Sequence, residues 1–234
     1  MLDILTNTWR ALGLMLSGDP EVWRVTAVSL QVSLAALVLA TASGVPLGYA
    51  LALSSRRVVA AASWLLHALT ALPTVVVGLG LYFALSASGP LGWMNLLYTR
   101  AAMVAGQFIL ATPIVAALAL TAVRSLPLEA RETAIALGLG RALTMRTLLR
   151  EARAALVSAV LIAFARVFTE LGAAVILGGN IRGHTRTLTT VIALEHSKGD
   201  DARAIAMGVT LLVVALTVNG LVHGAGFWRE AKTP

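Results

Sequence analysis

Arg166 and Glu170 carry opposite charges, lie four residues apart and are surrounded by apolar residues. On a helix this spacing places both side chains on one face, where they can form an ion pair. Because an isolated charge is costly in apolar surroundings, the pair indicates either packing inside the protein or a route for a charged ligand. We favour the structural pair, since an arginine neutralised by a carboxylate attracts an anion weakly. An anion route past Arg166 is the alternative.

Asn180, Arg182 and Arg186 form a second candidate site in a polar stretch of the chain. Guanidinium groups bind small anions and also the carboxylates of another protein. The sequence leaves both ligands open for these arginines. We prefer a docking role toward an acidic protein surface.

The sequence offers little for catalytic or metal chemistry. The chain has no cysteine, and its four histidines lack the i, i+4 spacing of a helical metal site. No G-x-x-x-x-G-K-[S/T] motif that would cradle a nucleotide phosphate occurs. We therefore predict no metal site, no cofactor and no enzymatic activity. A net charge of +7 without interleaved aromatic residues does not indicate nucleic-acid binding.

The elements that must position these residues are apolar helices. Of 234 residues, 58% are hydrophobic and 12% are charged. Several apolar runs reach the roughly 20 residues that a helix needs to cross a bilayer. The sequence predicts an all-α, polytopic membrane protein with a single transmembrane domain over residues 1–234. We expect five spans, at 25–53, 59–85, 101–122, 154–177 and 203–223.

Two further segments are too short or too polar to span. Residues 1–17 are amphipathic, so residues 1–23 are predicted to form a helix in the membrane interface followed by a turn. Residues 178–201 contain only about ten consecutive apolar residues, so this segment is predicted to be re-entrant or interfacial. It could gate a pathway or fill a gap between helices.

Arginines are concentrated in residues 123–153, between the third and fourth spans. Lys and Arg accumulate in the cytoplasmic loops of membrane proteins. This loop and the C-terminus are therefore predicted to be cytoplasmic, with the N-terminus outside.

The same loop carries the signals of a short helix. Ser125 and Pro127 can begin it, and Glu129 and Glu132 lie in its first turns, where the helix dipole favours acids. Gly138 can end it, and a second helix is expected from about Arg141. These residues by themselves allow either a helix that docks on another protein or a packed cytoplasmic hairpin.

Glu132-Thr-Ala134-Ile-Ala-Leu-Gly138 resembles the E-A-A-x-x-x-G coupling motif of prokaryotic ABC importer permeases. The resemblance implies that Glu129, Glu132, Ala134, Gly138 and Arg141 couple the chain to an ATPase subunit. Thr stands at the second position, where the motif has Ala. Arg150-Glu151 replaces the usual Leu-Pro, which predicts a following helix without a proline break.

Further segments resemble the molybdate, sulfate and tungstate branch of these permeases, and the last two of them are most similar to the tungstate type. They are Ala71-Leu-Pro-Thr-Val-Val-Val-Gly78-Leu, Ala111-Thr-Pro113-Ile-Val, Glu170-Leu-Gly-Ala-Ala, Gly178-Gly-Asn180-Ile-Arg182-Gly-His-Thr-Arg186-Thr-Leu-Thr-Thr, Ser17-Gly-Asp-Pro-Glu-Val-Trp23 and Ile192-Ala-Leu-Glu-His-Ser-Lys-Gly199.

The resemblance implies an oxyanion importer in a prokaryotic inner membrane. Its partners would be a second copy of the chain, two ABC ATPase subunits in the cytoplasm and an extracytoplasmic oxyanion-binding protein. Molybdate and sulfate are the alternatives to tungstate. A stand-alone secondary transporter would show an inverted repeat or several ionisable residues within spans, and the sequence shows only one such pair. An intramembrane enzyme would need a nucleophile–base or metal cluster, which the spans lack.

Overall fold

The computed structural model describes residues 19–127, 129 and 140–230, with side chains described as far as residue 221. The predicted interfacial helix at 1–17 and the coupling residues Glu132, Ala134 and Gly138 lie outside the described residues. The helices are α1 (Pro20–Ala52), α2 (Arg56–Thr70), α3 (Thr74–Leu85), a 3-10 turn (Gly92–Met94), α4 (Arg100–Arg124), α5 (Arg141–Glu151), α6 (Arg153–Phe168), α7 (Gly172–Gly178), α8 (Leu188–Ser197) and α9 (Asp201–Glu230).

The all-helical prediction is confirmed for the described part of the chain, which contains no strand. Three of its helices, α1, α4 and α9, are individually long and apolar enough to cross a membrane. The bent pairs α2–α3 and α6–α7 raise that number to five if each pair is one span. The chain is therefore a multi-pass membrane protein.

The span predicted at 59–85 is not one continuous helix. The chain breaks after α2, and Pro73 stands immediately before the first residue of α3. Proline has no N–H and disfavours helical geometry in the residue before it. Pro46 and Pro113, in contrast, lie inside α1 and α4 without ending them.

The span predicted at 154–177 is also interrupted, between Phe168 and Gly172. The break exposes the first N–H groups of α7, which then need new acceptors. Between α5 and α6 the interruption is a single residue, Ala152, whose N–H still bonds to the carbonyl of Leu148 at 2.9 Å. The predicted absence of a proline break at this point agrees with that geometry.

The chain divides into two compact units. The first comprises the described residues of Met1–Ala36, together with Pro73–Gln107 and Ala165–Asn219. Within it α3 packs on α7, and a Cβ built on Gly78 would lie 3.1 Å from the Cα of Ala173. Small residues allow membrane helices to approach this closely.

The second unit comprises Leu37–Leu72, Phe108–Phe164 and the described residues of Gly220–Pro234. Its core contains small and branched apolar residues, which suit close packing between helices in lipid. The buried members are Ala52, Leu66, Ala116, Ala117, Leu120 and Val123, with Tyr49, Leu51, Val59, Ala62 and Leu149 packed against them.

Large apolar side chains are exposed on several helices of the isolated chain. Val38, Trp64, Phe83 and Leu216 are each more than half exposed. Such side chains are favourable against lipid or another apolar chain and unfavourable against water. Their exposure agrees with a membrane environment.

Gly48 on α1 tests the packing of the second unit. A Cβ at this position would lie 2.5 Å from the carbonyl oxygen of Ala116 on α4. We expect Gly48→Ala to lower the stability by about 1–3 kcal/mol, because a backbone atom cannot move aside cheaply. The measurement is the thermal unfolding midpoint in detergent. Gly80→Ala is the matched control, since no atom of the described residues lies within 4 Å of a Cβ there. Equal midpoints for both variants would contradict the prediction.

Candidate functional site

The first turn of α1 carries an acidic residue, Glu21, for which the sequence suggested no site role. α1 begins at Pro20, a residue favoured at the first helical position. The Asp19 carboxylate accepts a hydrogen bond from the N–H of Glu21 at 2.8 Å. This local geometry fixes where the Glu21 side chain leaves the helix.

Three arginines converge on Glu21. Arg182 Nη2 lies 2.7 Å from Glu21 Oε2, and Arg186 Nη1 lies 3.0 Å from Glu21 Oε1. Arg203 Nη2, at the start of α9, lies 3.0 Å from Glu21 Oε2 and 3.5 Å from Asp19 Oδ2. We call Asp19, Glu21, Arg182, Arg186 and Arg203 the Glu21 cluster. It joins α1, α9 and the turn between α7 and α8, all within the first unit.

The two predicted arginines differ in their accessibility. The Arg182 side chain is 74% exposed, whereas that of Arg186 is only 15% exposed. The Arg186 Nε is buried and has no hydrogen-bond partner among the described residues. Arg182 is therefore accessible to another protein, whereas Arg186 is largely enclosed by its neighbours.

A tight turn sets the positions of both arginines. The carbonyl of Ile181 accepts the N–H groups of His184, Thr185 and Arg186 at 3.0–3.1 Å. Arg100 Nε donates to the carbonyl of His184 at 2.7 Å, which ties the turn to the start of α4. The backbone hydrogen bonds and the Arg100 contact together hold the turn in place within the first unit.

Asn180 contributes to the turn through its backbone. It has a φ of 50°, and its side-chain Oδ1 is buried without a partner among the described residues. Gly179, with a φ of 64°, ends α7 and lies against the Tyr98 ring. A hydrogen bond with Tyr82 raises the pKa of the Tyr98 phenol. The structure does not place the Asn180 side chain in the Glu21 cluster.

A cavity of about 220 Å³ opens beside the Glu21 cluster. Four charged residues line it: Glu21, Arg24, Arg182 and Arg186. Arg24 lies on α1, three residues after Glu21. Its side chain is exposed and forms no ion pair with a described residue.

The segment predicted at 178–201 contains a helix, α8, whose first half is buried. Thr187 and Thr190 form a reciprocal capping box at its start. The N–H of Leu188 donates to Ser29 Oγ on α1 at 2.9 Å, and the hydroxyl of Thr189 donates to the carbonyl of Glu170 at 3.0 Å. These bonds satisfy polar groups that lie inside the protein, and they hold α8 against its neighbours in the first unit.

Arg166 and Glu170 form an ion pair, with Arg166 Nη1 2.7 Å from Glu170 Oε2. The Glu170 side chain is 3% exposed and that of Arg166 is 41% exposed. The second carboxylate oxygen, Glu170 Oε1, accepts the N–H of Ala173 at 3.2 Å in the first turn of α7. Glu170 therefore supplies an acceptor that the break between α6 and α7 requires.

The proline–glycine segment at residues 71–79 contacts the segment that begins at Glu170. Gly78 and Thr74 belong to the proline–glycine segment, while Gly172 and Ala173 follow Glu170. A Cβ on Gly172 would lie 2.8 Å from Thr74 Oγ1, and Gly78 packs on Ala173. The small residues of both motifs thus serve the contact between α3 and α7.

The coupling residues are only partly described. Glu129 is helical and exposed, and Arg141 is the first residue of α5 with Gly140 before it. The prediction of a second helix from about Arg141 is therefore confirmed. Thr144 and Leu148 are the buried residues of that helix.

No site role was predicted for Glu21, Arg24 or Arg203. The available signal was the segment Ser17-Gly-Asp-Pro-Glu-Val-Trp23, which entered the predictions only through its resemblance to tungstate-type permeases. Glu21 and Arg203 are 182 residues apart. No spacing rule for a single helix connects residues at that separation.

Residues 44–224 match the family described as the inner membrane component of binding-protein-dependent transport systems. This match covers most of the helices described above. The chain belongs to this family. The prediction of an importer permease that has no catalytic chemistry of its own is thereby confirmed at the level of the family.

Several relatives of this permease are similar over most of their length. The tungstate uptake system permease protein TupB of Peptoclostridium acidaminophilum is 37% identical over 91% of this chain and 93% of its own. A probable anion ABC transporter permease protein of Haloferax volcanii is 40% identical over 90% and 91%. The molybdenum transport system permease protein ModB of Mycobacterium tuberculosis is 32% identical over 88% and 78%.

Proposed function

We propose that this permease forms the translocation pathway of an ABC importer for an oxyanion, and that the oxyanion is tungstate. The observation that carries the proposal is the 37% identity with a tungstate uptake permease over nearly the whole of both chains. Molybdate is the second candidate, because a molybdenum transport permease is 32% identical over most of this chain.

Reconstituted uptake tests the substrate. The permease, its ATPase and its binding protein are incorporated into liposomes, and ATP-dependent accumulation of tungstate, molybdate and sulfate is measured by elemental analysis. We expect tungstate to accumulate at the lowest external concentration. Liposomes without ATP are the control. Preferential accumulation of molybdate would replace tungstate by the second candidate, and absence of uptake for all three would contradict the oxyanion proposal.

We also propose a homodimer with two ATPase subunits on the cytoplasmic side and an oxyanion-binding protein outside. The family description, which names a binding-protein-dependent transport system, supports the binding protein. In this proposal each bent helix pair counts as one span, which gives five spans. Residues 1–17 lie in the membrane interface, and residues around 128–140 form the helix that couples to the ATPase.

Docking of the binding protein is proposed on the face that carries Arg182. This side chain is exposed, and an acidic protein surface would pair with it. Exposed charges of this kind mainly raise the rate of association, which falls as salt screens them. Arg186 is too buried to contribute much to such a contact.

The proposed topology predicts a labelling pattern. Single cysteines at Ser55 and Ala142 should react with an impermeant maleimide only from the cytoplasmic side, and one at Ser197 only from outside. All three positions are exposed, and the chain contains no native cysteine. Right-side-out and inside-out vesicles give the two accessibilities. Labelling of Ala142→Cys from outside would invert the proposed orientation.

A further inference from the structure

We propose that the cavity beside the Glu21 cluster is a binding site for a tetrahedral, doubly charged oxyanion. The cavity is lined by Arg24, Arg182 and Arg186 together with Glu21. The inference rests on the proposed function for the identity of the oxyanion. The class of the ligand follows from the cavity itself.

The charge of the lining matches such a ligand. Three arginines and one glutamate leave a net charge of +2 around the cavity. Arg203 and Asp19 stand outside this lining set and oppose each other in charge. A dianion would neutralise the lining, whereas a monoanion would leave half of the excess positive charge.

The guanidinium groups also have donors to spare. Glu21 engages one nitrogen of Arg182 and one of Arg186, and a guanidinium offers five N–H donors. The nitrogens of Arg182 and Arg186 that Glu21 does not engage can donate to an anion in the cavity that both residues line, and hydrogen bonds to an anionic oxygen are stronger than neutral ones.

The size of the cavity admits a hydrated small anion. A water molecule takes up about 30 Å³ in the liquid, so 220 Å³ holds a tetrahedral oxyanion with several waters. Gly183 is part of the lining, and a Cβ there would have no atom of the described residues within 4 Å. The entrance is therefore open on the side of the turn.

The binding protein that is proposed to dock on the face of Arg182 would not fill this cavity. Arg182 and Arg24 are exposed, whereas the Arg186 guanidinium is held by Glu21 and has little exposure. An acidic protein surface would therefore pair with the exposed arginines and leave Arg186 without a contact. A small anion that enters the cavity can contact all three arginines.

Calorimetric titration of the full chain in nanodiscs of neutral lipid tests the inference. Sodium tungstate is titrated at constant ionic strength into the wild type, Arg186→Gln and Arg24→Gln. We expect saturable binding by the wild type, and an affinity lower by about tenfold or more in each variant, because each loses charge-assisted hydrogen bonds. Arg24 has no ion pair in the described chain, so Arg24→Gln keeps the test valid if Arg186→Gln loosens the Glu21 cluster.

Lys198→Gln is the matched control. It also removes one positive charge, but Lys198 pairs with Glu195 and does not line the cavity. Its affinity should equal that of the wild type. Molybdate and sulfate should compete with tungstate, and perchlorate, which has the same shape but a single charge, should compete weakly.

Several results would overturn the inference. They are absence of saturable binding, binding that neither arginine variant weakens, and equal competition by perchlorate. Loss of affinity for the binding protein in Arg24→Gln, with no oxyanion binding by the wild type, would assign the surface to protein docking. Tungstate uptake by liposomes without binding in this cavity would refute the site and leave the proposed function intact. Binding in the cavity without tungstate uptake would support the site and contradict the proposed function.

Discussion

Replacing Arg166 by Met should destabilise the protein strongly, while replacing Arg166 and Glu170 together by Met and Gln should recover most of the loss. In the single variant the Glu170 carboxylate, 3% exposed, loses its cation. Removing one partner of a buried ion pair costs about 3–5 kcal/mol, and we expect the lower end, because Arg166 is itself partly exposed. In the double variant no charge remains, and the amide oxygen of the introduced glutamine can still accept the N–H of Ala173.

Thermal unfolding of the wild type, both single variants and the double variant measures this coupling. Glu170→Gln alone should cost less than Arg166→Met, since the arginine that it leaves unpaired has access to solvent. ATP-driven uptake of oxyanion by the double variant then separates the two interpretations of the pair. If the pair is structural, uptake follows stability. A stable double variant that hydrolyses ATP but moves no oxyanion would place Arg166 on the anion route.

Substitutions in the proposed coupling helix should strongly reduce transport while the protein still inserts into the membrane. Gly138→Leu and Glu132→Ala are expected to reduce uptake by about tenfold or more, which corresponds to an activation barrier raised by ~1.4 kcal/mol or more. The reason is that a helix with small side chains on its surface, docked in a groove, tolerates neither a large side chain nor the loss of its glutamate. Uptake and ATP hydrolysis stimulated by the loaded binding protein are the two measurements.

Thr147→Ala is the control for these variants. Thr147 lies on α5 outside the proposed coupling residues, is exposed, and its hydroxyl donates to the carbonyl of Leu143 in its own helix at 2.9 Å. Uptake by this variant should remain near the wild-type level. Normal transport by Gly138→Leu would show that the loop does not dock on the ATPase, whatever its sequence resembles.

Most of the helices could be predicted from the sequence, because hydrophobicity along a span is a local property. The three uninterrupted spans α1, α4 and α9 begin at Pro20, Arg100 and Asp201, close to the starts that the apolar runs predict. The breaks at Pro73 and at residues 169–171 were not predicted. Other prolines within apolar runs leave the helix unbroken, as α1 and α4 show, so a proline alone does not locate a break.

The sequence by itself determined that the protein lies in a membrane, that it is helical and to which family it belongs. Each of these conclusions depends on the apolar length or the short motif of a single segment. It also indicated the Arg166–Glu170 pair, which depends only on the period of a helix. The tertiary structure alone decided which charges meet across the chain. Glu21 contacts arginines 161, 165 and 182 positions away. Those contacts arise because α1, α9 and the turn after α7 pack together, and no local pattern in the sequence encodes that packing.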